Sequence, residues 1–279
     1  MNALVLQTDF GLQDGAVSAM YGVATSVMPD LQIYDLTHGI EPYNIWEASY
    51  RLIQTVTYWR AGTVIASVVD PGVGSTRRSV VIKLKSGQYI VTPDNGTLTH
   101  VKRMIGIEGA RIIDETVNRR PNSYESYTFY GRDVYAFTAA KLAAGLITFE
   151  QVGEEIDPES IISLPVTPAV YKDDEVEGTI DVLDIRFGSL WSNISRELFD
   201  RLEVPLGGRV EVTISNDTRI LYRNTMQYVH SFAGVYVGEA LLYMNSLDCM
   251  AVAINQGNFA KAYNVGAGNS WHMRLKKVQ

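Results

Sequence analysis

Two aspartates stand where short apolar runs end, Asp9 after Ala3–Gln7 and Asp70 after Thr63–Val69. In an open α/β sheet, ligands bind beyond the carboxyl ends of the strands. A carboxylate there can accept a proton or a hydroxyl. Asp also starts turns and caps helices, so position alone assigns neither residue. Other chemistries lack their residues. The histidines His38, His100, His230 and His272 form no HxxxH or HExxH pattern, and no zinc site is expected. The single cysteine, Cys249, excludes an intrachain disulfide and a cysteine-based metal cluster, and it reads as a small buried hydrophobe. No Gly-x-x-x-x-Gly-Lys-Ser/Thr loop occurs, and no Gly-x-Gly-x-x-Gly follows a strand. Val73-Gly74-Ser75 is not a nucleophile elbow. His38, just past a strand end, reads as a partly buried, satisfied side chain rather than a catalytic one.

The elements that must position the two aspartates are legible as alternating strands and helices. Strands are expected at Ala3–Gln7, Gln32–Leu36, Thr63–Val69, Ser79–Leu84 and Tyr89–Thr92. Helices are expected at Gly15–Val27, Ile45–Tyr58 and Asp133–Ala144. This pattern predicts an α/β domain with a largely parallel sheet. After about residue 165 strand signals dominate, at Gly178–Ile185, Arg209–Ile214, Val235–Tyr243 and Met250–Ile254, which predicts a smaller all-β barrel or sandwich. The division is therefore an N-terminal α/β domain over 1–165, a linker over 166–175 and a C-terminal β domain over 176–279.

The 279 residues carry a net charge of −7, which argues against a nucleic-acid backbone or an anionic membrane as the main partner. No run reaches the roughly 18 apolar residues of a membrane span. The opening MNALVLQTDFG lacks a basic region and reads as a first strand rather than a signal peptide, so a cytoplasmic location is expected.

Six segments then stand in order: Thr8-Asp9-Phe10-Gly11 with Asp14; Val69-Asp70-Pro71-Gly72-Val73-Gly74 with Arg77; Thr92-Pro93-Asp94-Asn95-Gly96; Thr128-Phe129-Tyr130-Gly131-Arg132-Asp133; Asp184-x-x-Phe187-Gly188 with Trp191-x-Asn193-Ile194; and Asn255-Gln256-Gly257-Asn258. Together they resemble the S-adenosyl-methionine (SAM) hydrolases, or hydroxide adenosyltransferases, the family that also holds the fluorinase and chlorinase. The resemblance runs over nearly the whole chain. It implies an N-terminal α/β domain, a C-terminal β-barrel and a homotrimer with each active site between neighbouring subunits. It also implies SAM as the substrate, with no metal or redox cofactor.

The implied reaction is attack of water on C5′, releasing adenosine and L-methionine. The sulfonium makes methionine a neutral leaving group, so the difficulty lies in the nucleophile, which must be held in line and activated. Asp70 and Arg77 match the family's Asp and Arg for that role, a carboxylate for the proton and a guanidinium for developing hydroxide charge. Arg78 is the adjacent alternative, and motif spacing favours Arg77. The same resemblance gives Asp9 the two ribose hydroxyls. It places Asp14, Asp184 and Ser246 at the methionine end, with Asp184 on the α-ammonium. Tyr43, Phe187 and Trp191 become aromatic walls, and Phe129 joins the substrate-binding set. Gly131, Ser189, Asn255 and Gln256 fall around the adenosine, although Ser189 stands where the family commonly has Asn.

One position departs from the hydrolase pattern. Tyr130 stands where hydrolases of this type usually carry His, and Tyr is also the halogenase residue. Halogenases, however, replace the Asp of Asp-Pro-Gly with an aromatic residue. Retained Asp70 favours water over chloride, and Gly131 in place of the fluorinase Ser makes fluoride the poorest candidate. A chloride-using transferase and a SAM- or adenosine-binding protein without turnover stay open beside the hydrolase. Asp9-Phe10-Gly11 is also the magnesium-binding tripeptide of protein kinases, but here no room precedes it for the loops that chemistry needs.

Overall fold

The computed structural model describes residues 2–278. The chain divides into two compact units, one ending at Leu164 and the other beginning at Pro165.

The first unit runs β1 (Leu4–Thr8), α1 (Ala16–Val27), β2 (Ile33–Thr37), α2 (Ile45–Thr55), β3 (Val64–Val68), β4 (Ser79–Leu84), β5 (Tyr89–Pro93), α3 (Thr99–Met104), β6 (Ile107–Ile112), α4 (Phe137–Ala144) and β7 (Glu155–Ile156). Its sheet has the order β2-β1-β3-β5-β4-β6-β7. The half from β2 to β5 is parallel, and β4, β6 and β7 add antiparallel pairings. All five residues of β1 and of β3 are buried, as expected of parallel strands covered on both faces. From β1 the chain crosses to β2 on one side and then returns to β3 on the other. The carboxyl ends of β1 and β3 therefore flank the point where strand order reverses, the place at which such sheets form a crevice. The register pairs Thr8 with Val68, so Asp9 and Asp70 leave the sheet side by side.

Local chemistry sets the helix ends. The Asn44 side chain accepts the Glu47 N–H at 2.9 Å and starts α2. Gly145, at φ 76°, ends α4 in the left-handed conformation that suits glycine. The segment expected as one helix from Asp133 begins as a π-helical turn over Gly131–Ala136 and continues as α4.

The second unit runs β8 (Val170–Lys172), β9 (Glu175–Leu183), β10 (Leu190–Ser195), α5 (Arg196–Asp200), β11 (Arg209–Asn216), β12 (Ile220–Tyr228), β13 (Ala240–Met244), β14 (Cys249–Ile254), α6 (Phe259–Tyr263) and β15 (Gly268–Lys277). The order β10-β14-β13-β12-β11-β15-β9 closes into a seven-stranded barrel, because β9 also pairs with β10. Its core includes Val176, Ile180, Leu190, Val212, Leu242, Val252 and Phe259. Two local expectations change. Val170–Lys172, inside the segment read as linker, forms a strand on β9. The strand read at Val235–Tyr243 begins only at Ala240, because the chain turns outward at Gly238 (φ 86°) and leaves Tyr236 and Val237 exposed. Among the described residues no helix is long and apolar enough to cross a membrane.

Candidate active site

A cleft of about 320 Å³ opens at the carboxyl ends of β1 and β3. Asp9, Tyr43, Asp70, Phe129, Tyr130 and Gly131 line it, together with Phe10, Pro42, Val68, Val73 and Thr128. Six of the residues expected from the sequence thus converge in one place. Of the other five, Phe10, Val73 and Thr128 lie inside the quoted motifs. Pro42 had no signal beyond adjacency to Tyr43, and Val68 none beyond its place in the strand.

At the exit of β3, the Arg77 guanidinium grips Asp70 at two points, Nε to Oδ1 at 2.7 Å and Nη2 to Oδ2. The pair is nearly enclosed, with side-chain exposures of 5% for Asp70 and 10% for Arg77. Burial works against the Arg77 charge, but its bonds to Asp70 outweigh that, and its pKa rises. Arg77 Nη1 also donates to Ser79 Oγ at 3.0 Å, and that hydroxyl lies 3.1 Å from the Tyr135 hydroxyl. Burial drives the Tyr135 pKa far up, so it remains a neutral hydrogen-bonding group. Arg78 turns away, with Nε 2.8 Å from Asp94 Oδ2. Arg77 is therefore the arginine that meets Asp70.

Tyr130 is 7% exposed, and two guanidiniums face its ring, Arg77 at 5.1 Å and Arg119 at 5.0 Å from the centroid. Arg119 was not anticipated, since nothing in its sequence neighbourhood marks it. It is 4% exposed and bonds Glu115, Ser123 and Ser126, so the segment before Phe129 wraps around it. Gly131 lies against the cleft floor. A Cβ there would come within 3.0 Å of the Phe10 ring and 3.4 Å of Val68.

Beside it, at the exit of β1, Asp9 Oδ2 accepts the Tyr43 N–H at 2.9 Å. Tyr43 has φ 69°, a conformation that strains a bulky residue, and the residue is 72% exposed. An aromatic held that way forms an open wall rather than core. Asp14 does not line the cleft; its Oδ1 accepts the Ala16 N–H at 2.8 Å at the start of α1.

The remaining expected residues belong to the second unit. Asp184 Oδ1 accepts the N–H groups of Arg186 and Phe187, both at 2.9 Å, and Phe187 is 68% exposed. Trp191 Nε1 donates to the Tyr243 hydroxyl at 3.2 Å, and Ser189 is buried. Burial raises the Tyr243 pKa, so this unanticipated phenol stays neutral. Ser246 is exposed in the turn before β14, whereas Asn255 and the exposed Gln256 follow its end. The Asn255 amide donates to the Val235 carbonyl at 2.9 Å.

Both units find counterparts among known proteins. Residues 4–153 match the SAM hydroxide adenosyltransferase N-terminal domain, and residues 178–272 match the C-terminal domain of the same family. A protein of Salinispora tropica named (R)-S-adenosyl-L-methionine hydrolase is 35% identical over 94% of each chain. A fluorinase of Nocardia brasiliensis is 28% identical over 98% of this chain and 96% of its own. A solved structure of an uncharacterized conserved protein from Thermotoga maritima superposes with a TM-score of 0.89 at 30% identity, covering 98% of this chain and all of that one. With both domains matched in order, the chain belongs to the SAM hydroxide adenosyltransferase family.

Proposed function

We propose that this protein hydrolyses SAM to adenosine and L-methionine. The observation that carries the reading is the Arg77-held Asp70 in the same cleft as Asp9. Asp9 takes the ribose cis-diol and places C5′ toward Asp70. A water on Asp70 attacks C5′, the C5′–S bond breaks, and its electron pair stays on sulfur, leaving neutral methionine. Asp70 receives the water's proton and releases it to solvent, so SAM and water give adenosine, methionine and a proton. Arg77 fixes the carboxylate in plane and stabilises charge as the water becomes hydroxide. Tyr130 supplies a phenolic hydroxyl beside the nucleophile, in place of the family's histidine. The reaction so written draws on no metal or redox cofactor. In the same reading the working assembly is a homotrimer, and Asp184, Phe187 and Trp191 complete the substrate contacts.

Chromatography of products after incubation with SAM, with and without high chloride, tests the reading. Adenosine and methionine in chloride-free buffer are expected. A 5′-chloronucleoside formed only with chloride moves the protein to the halogenase branch, and binding without product makes it a SAM-binding protein.

A further inference from the structure

Behind the Asp9 wall of the cleft runs a hydrogen-bonded relay that the reaction itself does not use. His38 Nε2 lies 3.0 Å from Asp35 Oδ1, and His38 Nδ1 lies 2.8 Å from Thr8 Oγ1. The Tyr21 hydroxyl donates to the same Asp35 oxygen at 2.5 Å. Burial and that bond to Asp35 push the Tyr21 pKa up to about 12, so it stays a donor at neutral pH.

The direction of the bond to Asp35 follows from the groups. A carboxylate only accepts, so His38 Nε2 donates to Asp35, and the other ring nitrogen, Nδ1, shares a hydrogen bond with the Thr8 hydroxyl. The same Thr8 oxygen receives the Phe10 N–H at 3.1 Å. The His38 carbonyl meanwhile receives the Gly11 N–H at 2.8 Å. Asp9 is thus bracketed on both sides by bonds that lead to one histidine. Its own carboxylate is tied to Tyr43, in the loop that leaves His38. Thr8 is fully buried and His38 is 5% exposed, so water does not substitute for either partner.

We infer that His38, oriented by Asp35 and Tyr21, is a positioning residue for the nucleoside subsite: it fixes the turn that aims Asp9 at a vicinal diol. Two-point acceptance of a diol tolerates little angular error, and a freed turn at residues 8–11 lets the carboxylate rotate away. The inference rests on the reading of Asp9 as the diol acceptor.

Calorimetry on the full-length protein with adenosine and with 2′-deoxyadenosine tests it. The wild type is expected to prefer adenosine by about tenfold or more, the scale of one lost charge-assisted hydrogen bond. In His38→Gln that preference collapses, with 2′-deoxyadenosine binding unchanged. Thr8→Val reproduces the collapse, Thr8→Ser retains the preference, and the double variant Thr8→Val/His38→Gln loses nothing further. Variants that keep the full preference, or that weaken both nucleosides equally, overturn the inference, the second result marking a purely structural role. A wild type that binds both nucleosides alike overturns the diol reading of Asp9 itself, and the inference with it.

Discussion

Arg77 donates to both oxygens of Asp70, which lines the same cleft as Asp9. The carboxylate is oriented, and its charge is compensated before any substrate arrives. Asp70→Ala should lower turnover by about 10²- to 10⁴-fold, the usual contribution of a positioned acid or base, while adenosine binding stays within a few-fold. It should also lower stability by roughly 3 kcal/mol, because it strands an enclosed guanidinium. Product assays, calorimetry and thermal melts separate these effects. Arg77→Lys keeps the charge but loses the fork, and should cost on the order of 10²-fold in kcat. Full activity in either variant would contradict the mechanism.

Tyr130 contributes one hydroxyl and a ring that faces two guanidiniums. Tyr130→Phe keeps the ring contacts and removes the hydroxyl. It should leave the melting temperature nearly unchanged and reduce kcat about tenfold, the worth of one neutral hydrogen bond. A kcat equal to wild type would mean that the phenol only packs.

Gly131 sits tightly against the Phe10 ring and Val68. In Gly131→Ala the added Cβ meets the Phe10 ring at 3.0 Å, so the ring, itself part of the cleft lining, must give by a few tenths of an ångström. Overpacking of this kind costs about 1–3 kcal/mol. The expected result is a modest drop in melting temperature and a larger loss of SAM affinity, read by calorimetry on the same preparation.

His100 makes stability depend on pH. Its Nδ1 lies 2.8 Å from Ser49 Oγ, and its Nε2 is buried with no hydrogen-bond partner among the described residues. Burial, helped by Arg103, holds its pKa down to about 4 against the ordinary 6.5. Between these values the unfolded chain binds the proton and the folded chain does not. The contribution is therefore complete above pH 6.5 and drains away as the pH falls toward about 4, for a total of roughly 3 kcal/mol. Denaturant melts at pH 7 and pH 5 should show the loss in wild type and a flatter slope in His100→Gln. Equal slopes would remove His100 as the cause.

The cleft was legible in sequence to the extent that buried parallel strands carry it. β1 and β3 read as short, mostly apolar runs, so the aspartates at their exits stood out. Tyr43 shows the limit, since its left-handed backbone depends on Asp9, which is distant in sequence. Arg77 and Arg78 are equivalent by type; motif spacing alone favoured Arg77, and their separate partners, Asp70 and Asp94, supply the physical difference. In the barrel, β12 and β15 escaped notice. β12 buries Tyr222 and Met226, four residues apart, and faces solvent with Arg223 and Asn224, so a two-residue period is not visible. β15 likewise buries only Met273 and Leu275 among polar neighbours.

The pairing of Thr8 with Val68 makes the sheet a ruler. Asp9 is one residue beyond that pair and Asp70 two, an offset of a single strand step, about 3.3 Å along the sheet. Both strands are sealed on each face, and a slip of one residue would turn every side chain over, so this interval withstands sequence drift. Laboratory evolution toward another nucleophile should therefore accumulate changes in 71–77 and 128–131, and leave the two strands as they are.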